Sequence, residues 1–401
     1  MERRLTTGIF PVLEPDLHEP EKQIWPVFAV ISIVGTFALV VGFTYPALSL
    51  AMEAAGFSKT VIGLQTAMSG VGVVVSAVLT PNAAIRIGAW RLGLFTGIVT
   101  TISVLGFGMT EPGWAWFVLR FILGMSISTL FILSETWLNE FAPDHLRGRL
   151  IAIYTSTVAA LFGIGPLMIP FVGYSGSTPF LVVGCLVSML LLPLWSIRNR
   201  VQGVHRADRR ELLAVFAIIP VLILAVATFG MFDGASMGLW VVYGLELGYT
   251  ETIASWTLSA SILGNLFLQL PIGWLADRMS RQVLLSICSG LAMLGALLLP
   301  FLNLNAFYIW PFLMLWGGMC FGIYTIALTL VGEHLKGAQL ISANAVFGLM
   351  WGLGAIVGGS LAGGLMDVAG PYSLPAFIAA IFAILLMVTL AVAPVRTIRM
   401  K

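Results

Sequence analysis

Twelve apolar runs, separated by charge, glycine or proline, decide what this chain can fold into. They fall at about 25–51, 59–80, 91–110, 114–139, 150–170 and 178–196, then at 212–243, 251–272, 283–302, 307–331, 339–365 and 373–393. A helix that crosses a bilayer needs about 20 apolar residues, so each run is a candidate span. Backbone inside lipid must satisfy its own hydrogen bonds, which leaves helices or closed barrels. The alternating strands of a barrel do not occur in this sequence. The 401 residues are 59% hydrophobic and only 9% charged, where soluble domains carry about 25% charge. A net charge of +2 leaves no electrostatic footprint for nucleic acid. The expected fold is all-α and integral to the membrane.

The basic residues set the expected topology. Of 20 Lys and Arg residues, 18 fall in the termini and in alternate loops, Lys59 alone lies on the other side, and Arg120 lies inside a span. The positive-inside rule then puts both termini in the cytosol. The expected organisation is a cytosolic tail over residues 1–24, a six-helix bundle over 25–196, a cytosolic linker over 197–211, a second six-helix bundle over 212–393 and a cytosolic tail over 394–401. The three cysteines, Cys185, Cys288 and Cys320, lack metal or redox spacing and read as small buried hydrophobes.

The two bundles are related in sequence. Shifting the chain by 192 residues lays Thr36-Phe37 on Thr228-Phe229, Gly42 on Gly234, Gly56 on Gly248, Phe57-Ser58 on Tyr249-Thr250, Thr60 on Thr252 and Arg86 on Arg278. Two parallel six-span repeats with a site at their interface are the plan of an alternating-access transporter.

Polar residues inside the spans are the candidates for function, because they are expensive there. Asp233 in span 7, about 20 residues from the inner end of its run, corresponds to Val41 in the repeat, so the fold does not require an acid at that place. An acid buried there is suited to taking and releasing a proton; the other reading has it facing an outer vestibule. Gly230, Gly234 and Gly238 suit a helix that bends or breaks beside a cavity. Arg120 in span 4 is either functional or snorkels to the outer surface. Glu135 lies 15 residues further along, either in transport or as an anchor for loop arginines. Span 8 carries Thr257, Ser261, Asn265 and Gln269 at intervals of four, a stripe expected to face a wet cavity or another helix. Tyr45, Gln65, Tyr154, Asn344 and Trp351 complete the expected cavity. In span 11, Gly348, Gly352, Gly354, Gly358, Gly359 and Gly363 form small faces for close, sliding helix contacts.

The loop after span 8 reads Gly273-Trp274-Leu275-Ala276-Asp277-Arg278-Met279-Ser280-Arg281. It resembles the loop signature of the major facilitator superfamily, Gly-x-x-x-Asp-Arg-x-Gly-Arg. Gly273 would permit a close helix approach, Asp277 would sit against a helix N-terminus at the start of span 5, and Arg278 and Arg281 would hold carboxylates or lipid phosphates. The first-half copy keeps only Arg86-Ile87-Gly88. The resemblance implies a gating loop made of Arg86, Gly88, Gly273, Asp277, Arg278 and Arg281. Arg120 followed by Gly124 resembles a second family signature, in which the Arg takes part in proton coupling. Ser134-Glu135-Thr136-Trp137 is similar to the YcaD-like branch of small bacterial members. Gly163-Ile164-Gly165-Pro166 partly resembles an antiporter signature and leans toward export.

No phosphate loop, hydrolase elbow or metal-ligand spacing occurs, so neither an enzyme, a metal nor another cofactor is expected. The expected protein is a secondary transporter of the bacterial inner membrane, working as a monomer. It would export a small organic solute in exchange for protons, with Asp233, Glu135 and Arg120 coupling the two. The alternatives are proton-coupled uptake of a metabolite and a transporter-derived sensor or scaffold.

Overall fold

The computed structural model describes residues 20–143, 146–200, 218–335 and 338–391. Twelve helices in it are long and apolar enough to cross a membrane. In chain order they are α1 (Pro20–Ala54), α2 (Lys59–Ile87), α3 (Ala89–Met109), α4 (Trp114–Phe141), α5 (Arg147–Leu167) and α6 (Thr178–Ser196). The second set is α7 (Pro220–Glu246), α8 (Glu251–Arg278), α9 (Arg281–Leu298), α10 (Ile309–His334), α11 (Ala338–Ala369) and α12 (Ser373–Ala391).

The repeat is visible in the backbone. Ser58 caps α2 by accepting the Val61 amide, and Thr250, 192 positions on, caps α8 by accepting the Ile253 amide. Gly56 and Gly248 precede those caps with φ of 80° and 82°, a left-handed turn that a side chain would strain. Packing repeats as well. In the first half α1 lies on α5, α2 on α4, and α3 on α4 and α6. In the second half α7 lies on α11, α8 on α10, and α9 on α10 and α12. The halves meet through another symmetric pair of contacts, α2 with α11 and α5 with α8, with α7 also reaching α1 and α2. Thus α3, α6, α9 and α12 stand at the outside, where Phe95, Ile102, Leu192, Leu294 and Leu390 are exposed as a lipid-facing surface should be.

Two ends of the bundle differ in charge. One carries Arg86, Arg91, Arg147, Arg149, Arg278 and Arg281 and is called the basic end below. The other carries Glu53, Lys59, Glu111, Glu246, Glu251 and Asp367 and is called the acidic end.

Several expectations need correction. Helix α7 runs over Pro220–Glu246, with Pro in its first turn, where the missing N–H costs nothing; the expected span start at 212 lies outside the described residues. Asp233 is therefore 13 residues from either end of α7, at its centre. That helix runs unbroken through its glycines. They let neighbours approach instead, with Gly230 and Gly234 against the α11 backbone at Trp351 and Ala355, and Gly238 against the Thr66 side chain of α2. Run 178–196 is interrupted, with helix over Thr178–Ser188 and again over Leu191–Ser196. Cys288 and Cys320 are buried as expected, but Cys185 is exposed on α6. The tails over 1–19 and 392–401 and linker residues 201–217 lie outside the described residues, as does the side chain of Asp277.

Candidate functional site

At the acidic end, polar bonds join the two halves. Asp367, on the last turns of α11, accepts the Lys59 and Thr60 backbone amides at 2.9 and 2.8 Å and also the Thr60 hydroxyl. A second-half carboxylate thus satisfies the free amides that begin a first-half helix and meets the positive end of its dipole. The Lys59 ammonium lies 3.1 Å from Glu53 of α1 and 2.8 Å from Glu246 of α7, so it too ties the halves together. On the symmetric side, the Tyr174 hydroxyl, in the loop after α5, donates to Glu251 of α8 at 2.5 Å. Glu251 holds that phenol's proton, pushing the Tyr174 pKa up to about 12.

Below these bonds the interface is sealed by backbone. Gly63 and Gly70 of α2 sit so close to Gly359 and Gly352 of α11 that neither leaves room for a Cβ, and Gly163 of α5 is filled by Leu263 of α8. The small faces expected on α11 are thus divided: Gly352, Gly359 and Gly363 face α2, while Gly354 and Gly358 face α7. The seal stops part-way. Gly348, one turn nearer the basic end, has nothing within 4 Å.

The centre holds a layer of buried polar groups. Arg120 is 0% exposed, which excludes the snorkelling alternative. Its guanidinium lies over the Tyr45 ring, 3.6 Å from the centroid, and Nη1 donates to the Thr44 hydroxyl at 3.4 Å, while Nε and Nη2 have no partner. The Tyr45 hydroxyl pairs with Ser69 of α2, and Tyr45 stands within electrostatic reach of both Arg120 and Asp233. Tyr45 therefore interacts with both a first-half cation and a second-half acid. Asp233 is buried, takes a hydrogen bond from the Trp351 side chain of α11 and keeps Oδ1 unpaired. The vestibule alternative for Asp233 does not hold. Gln65 is 0% exposed with neither amide atom bonded.

Toward the basic end the close packing seen at the acidic end gives way to open space at Gly348. Glu135 is exposed although helices of both halves surround it, with Tyr154 of α5 and Tyr324 of α10 within electrostatic reach of its carboxylate. That combination marks a side chain lining a cleft. Among the described residues Glu135 forms no ion pair, so the anchor alternative finds no support. Tyr154 is buried and hydrogen-bonded to Ser134 at 3.1 Å. Asn344 is exposed on the first turns of α11.

The structure does not bring all the expected residues together. The acidic-end part of the α8 stripe is internal packing. Thr257 accepts the Trp240 indole at 3.1 Å, and Ser261 is buried where Gly317 of α10 presses against it. Asn265 and Gln269 are half-buried. Gly273 touches no other helix, so no close approach occurs there. Arg278 stacks on Trp274 at 3.7 Å, and Arg281 donates to the Ala276 and Thr329 carbonyls at 3.3 and 3.4 Å. Arg86 and Gly88 are exposed. Sequence reasoning missed Asp367, Glu246, Glu251, Tyr174, Ser69 and Tyr324, because each becomes significant only through a partner in the other half or on another helix.

The Major Facilitator Superfamily model matches this chain over residues 30–241 and again over 221–399. The chain belongs to that superfamily. It is 25% identical over 356 residues to the uncharacterized MFS-type transporter YfkF of Bacillus subtilis, covering 84% of this chain and 87% of the relative. It is likewise 25% identical over 350 residues to the uncharacterized MFS-type transporter YcaD of Shigella flexneri, covering 85% and 89%. The crystal structure of the nucleoside transporter NupG superposes with a TM-score of 0.74 at 13% identity, covering 92% of this chain and 98% of that one. The superfamily fold, the multi-pass membrane location and membership among secondary transporters follow. The expected similarity to the YcaD-like branch is borne out.

Proposed function

We propose that this protein exports a small organic solute across the bacterial inner membrane in exchange for protons, by rocking its two six-helix bundles about the Arg120–Tyr45–Asp233 layer. The bundles are those delimited from the sequence, 25–196 and 212–393, joined by a cytosolic linker. The observation that carries this reading is an asymmetry. Lys59, Asp367 and Tyr174 tie the halves together at the acidic end, while Glu135 lies open to solvent between them toward the basic end. With both termini cytosolic, this is a state open to the cytosol, ready to load a solute for export.

Asp233 is the proton carrier in this mechanism. It sits at the centre of α7, and Tyr45 links it electrostatically to Arg120 across the interface. Loss or gain of its charge alters the attraction between the halves, which couples protonation to rocking. Glu135 connects that layer to the open cleft. The two loop segments holding Arg86 and Gly88, and Gly273, Asp277, Arg278 and Arg281, close the basic end in the opposite state. Export rather than uptake is favoured by the Gly163–Pro166 segment, which resembles an antiporter signature.

The test is solute flux in proteoliposomes under an imposed pH gradient, screened across solute classes. We expect one solute to move protons in the opposite direction. Asp233→Asn should abolish proton movement while keeping solute–solute exchange. Flux indifferent to the gradient and to that substitution would reject proton coupling, and co-directional movement of proton and solute would reject export.

A further inference from the structure

Arg120 is a charge without a counter-charge. Its guanidinium is fully buried, and its two described contacts, the Thr44 hydroxyl and the Tyr45 ring face, are neutral. The unpartnered atoms, Nε and Nη2, form one edge of the planar fork. That edge presents two parallel N–H donors at the spacing of two oxygens on one planar group. Buried charges are ordinarily paired, because an unpaired one is strongly penalised.

The surroundings narrow the missing partner. Helices α2 and α4 run in the same direction and touch where Gly124 meets Ser69. One turn earlier stand Arg120 on α4 and Gln65 on α2, and Gln65 contributes two more unbonded polar atoms. Within electrostatic reach of Tyr45 is Asp233, itself an acid with an unpaired oxygen. When Asp233 carries its proton, one guanidinium balances one negative charge. A monocarboxylate is then neutralised, whereas a phosphate dianion would leave charge uncompensated beside Asp233.

We infer that the Nε–Nη2 edge of Arg120 binds the carboxylate of the transported solute, making this protein a carrier of organic monocarboxylates. Gln65 supplies neighbouring hydrogen bonds, and the Tyr45 and Trp351 rings supply apolar surface for the solute's body. The assignment rests on the transport reading above and deepens it by naming the substrate class.

The experiment is ligand-induced thermal stabilisation of the purified full chain. The probes are benzoate, phenylacetate and indole-3-acetate, each compared with its primary amide. At least one acid should stabilise the protein, with its amide weaker by about tenfold or more, the discrimination expected when a charge-assisted fork loses its partner. Arg120→Lys, which keeps the charge and loses the fork, should weaken the acid by about tenfold and narrow the difference between acid and amide. The comparison of acid with amide in the wild-type chain needs no variant, so misfolding of Arg120→Lys would not rescue or sink the idea. Amides binding as tightly as acids, acids binding a folded Arg120→Lys chain as they bind wild type, or no acid binding at all would overturn the assignment. Counterflow in proteoliposomes separates the two readings. Binding of acids without flux rejects transport and leaves the Arg120 site standing, while flux of amides in preference to acids rejects the site and leaves transport standing.

Discussion

The carboxylate of Asp367 caps a helix to which it does not belong. It accepts the first amides of α2, Lys59 N at 2.9 Å and Thr60 N at 2.8 Å, from a position more than 300 residues away in the chain. A cap that bridges the two halves has a conformational consequence, because it exists only when the acidic end is closed.

Removing that cap should therefore open the acidic end. Loss of an N-cap costs about 1 kcal/mol, so Asp367→Ala should shift the balance toward the acidic-end-open state by roughly fivefold. Distance distributions between spin labels on α2 and α11 at that end would reveal the shift. An unchanged distribution would mean that the cap does not hold the state.

The Tyr174–Glu251 bond should ignore physiological pH. The Tyr174 phenol has its pKa raised from 10.0 to about 12 by Glu251. A raised value means that the stabilisation is fully present below the unfolded value and is lost only as pH rises through the folded one. The stability difference between wild type and Tyr174→Phe should be about 0.5–1 kcal/mol for so exposed a bond. It should stay flat from about pH 6 to 9. Thermal unfolding across that range checks it, and a slope would contradict the assigned partner.

Steric closure at the α2–α11 crossing predicts a stronger effect. A methyl group at Gly63 would collide with the carbonyl of Gly359, which is backbone and cannot swing aside. Gly63→Ala should disfavour acidic-end closure by about 1–3 kcal/mol, the usual range for overpacking. The same spin-label measurement should show the acidic end largely open, while Gly348→Ala, with nothing within 4 Å, should leave it closed.

The open cleft makes Glu135 reachable from one side only. In a chain with Cys185→Ser, which removes the exposed thiol and leaves the buried Cys288 and Cys320, a cysteine replacing Glu135 should react with a membrane-impermeant thiol reagent added at the basic end. Reagent at the acidic end should not react. Equal labelling from both faces would contradict a sealed acidic end.

Much of the architecture was legible in the residues. Twelve apolar runs became twelve helices, and the 192-residue offset reappeared in the paired caps Ser58 and Thr250 and in the paired turns at Gly56 and Gly248. Local chemistry determines such features: a hydroxyl that accepts an amide three residues on, or a glycine that adopts a positive φ. The candidate site was only half legible. Arg120, Tyr45, Asp233 and Trp351 do lie in one layer, but Ser261 and Thr257 turned inward to pack, and the inter-half partners Asp367 and Glu246 were not singled out.

The sequence alone thus determined how many helices form, how long they are, the repeat that relates them and which of their residues are too polar for lipid. Only the tertiary structure decided which of those polar residues face one another. The physical reason is that a spanning helix is apolar on the side that meets lipid and on the side that meets its neighbours, so its pattern does not point toward the centre. The direction comes from packing, where Gly63 against Gly359 and Gly124 against Ser69 fix each helix's rotation and bring Tyr45 within reach of both Arg120 and Asp233.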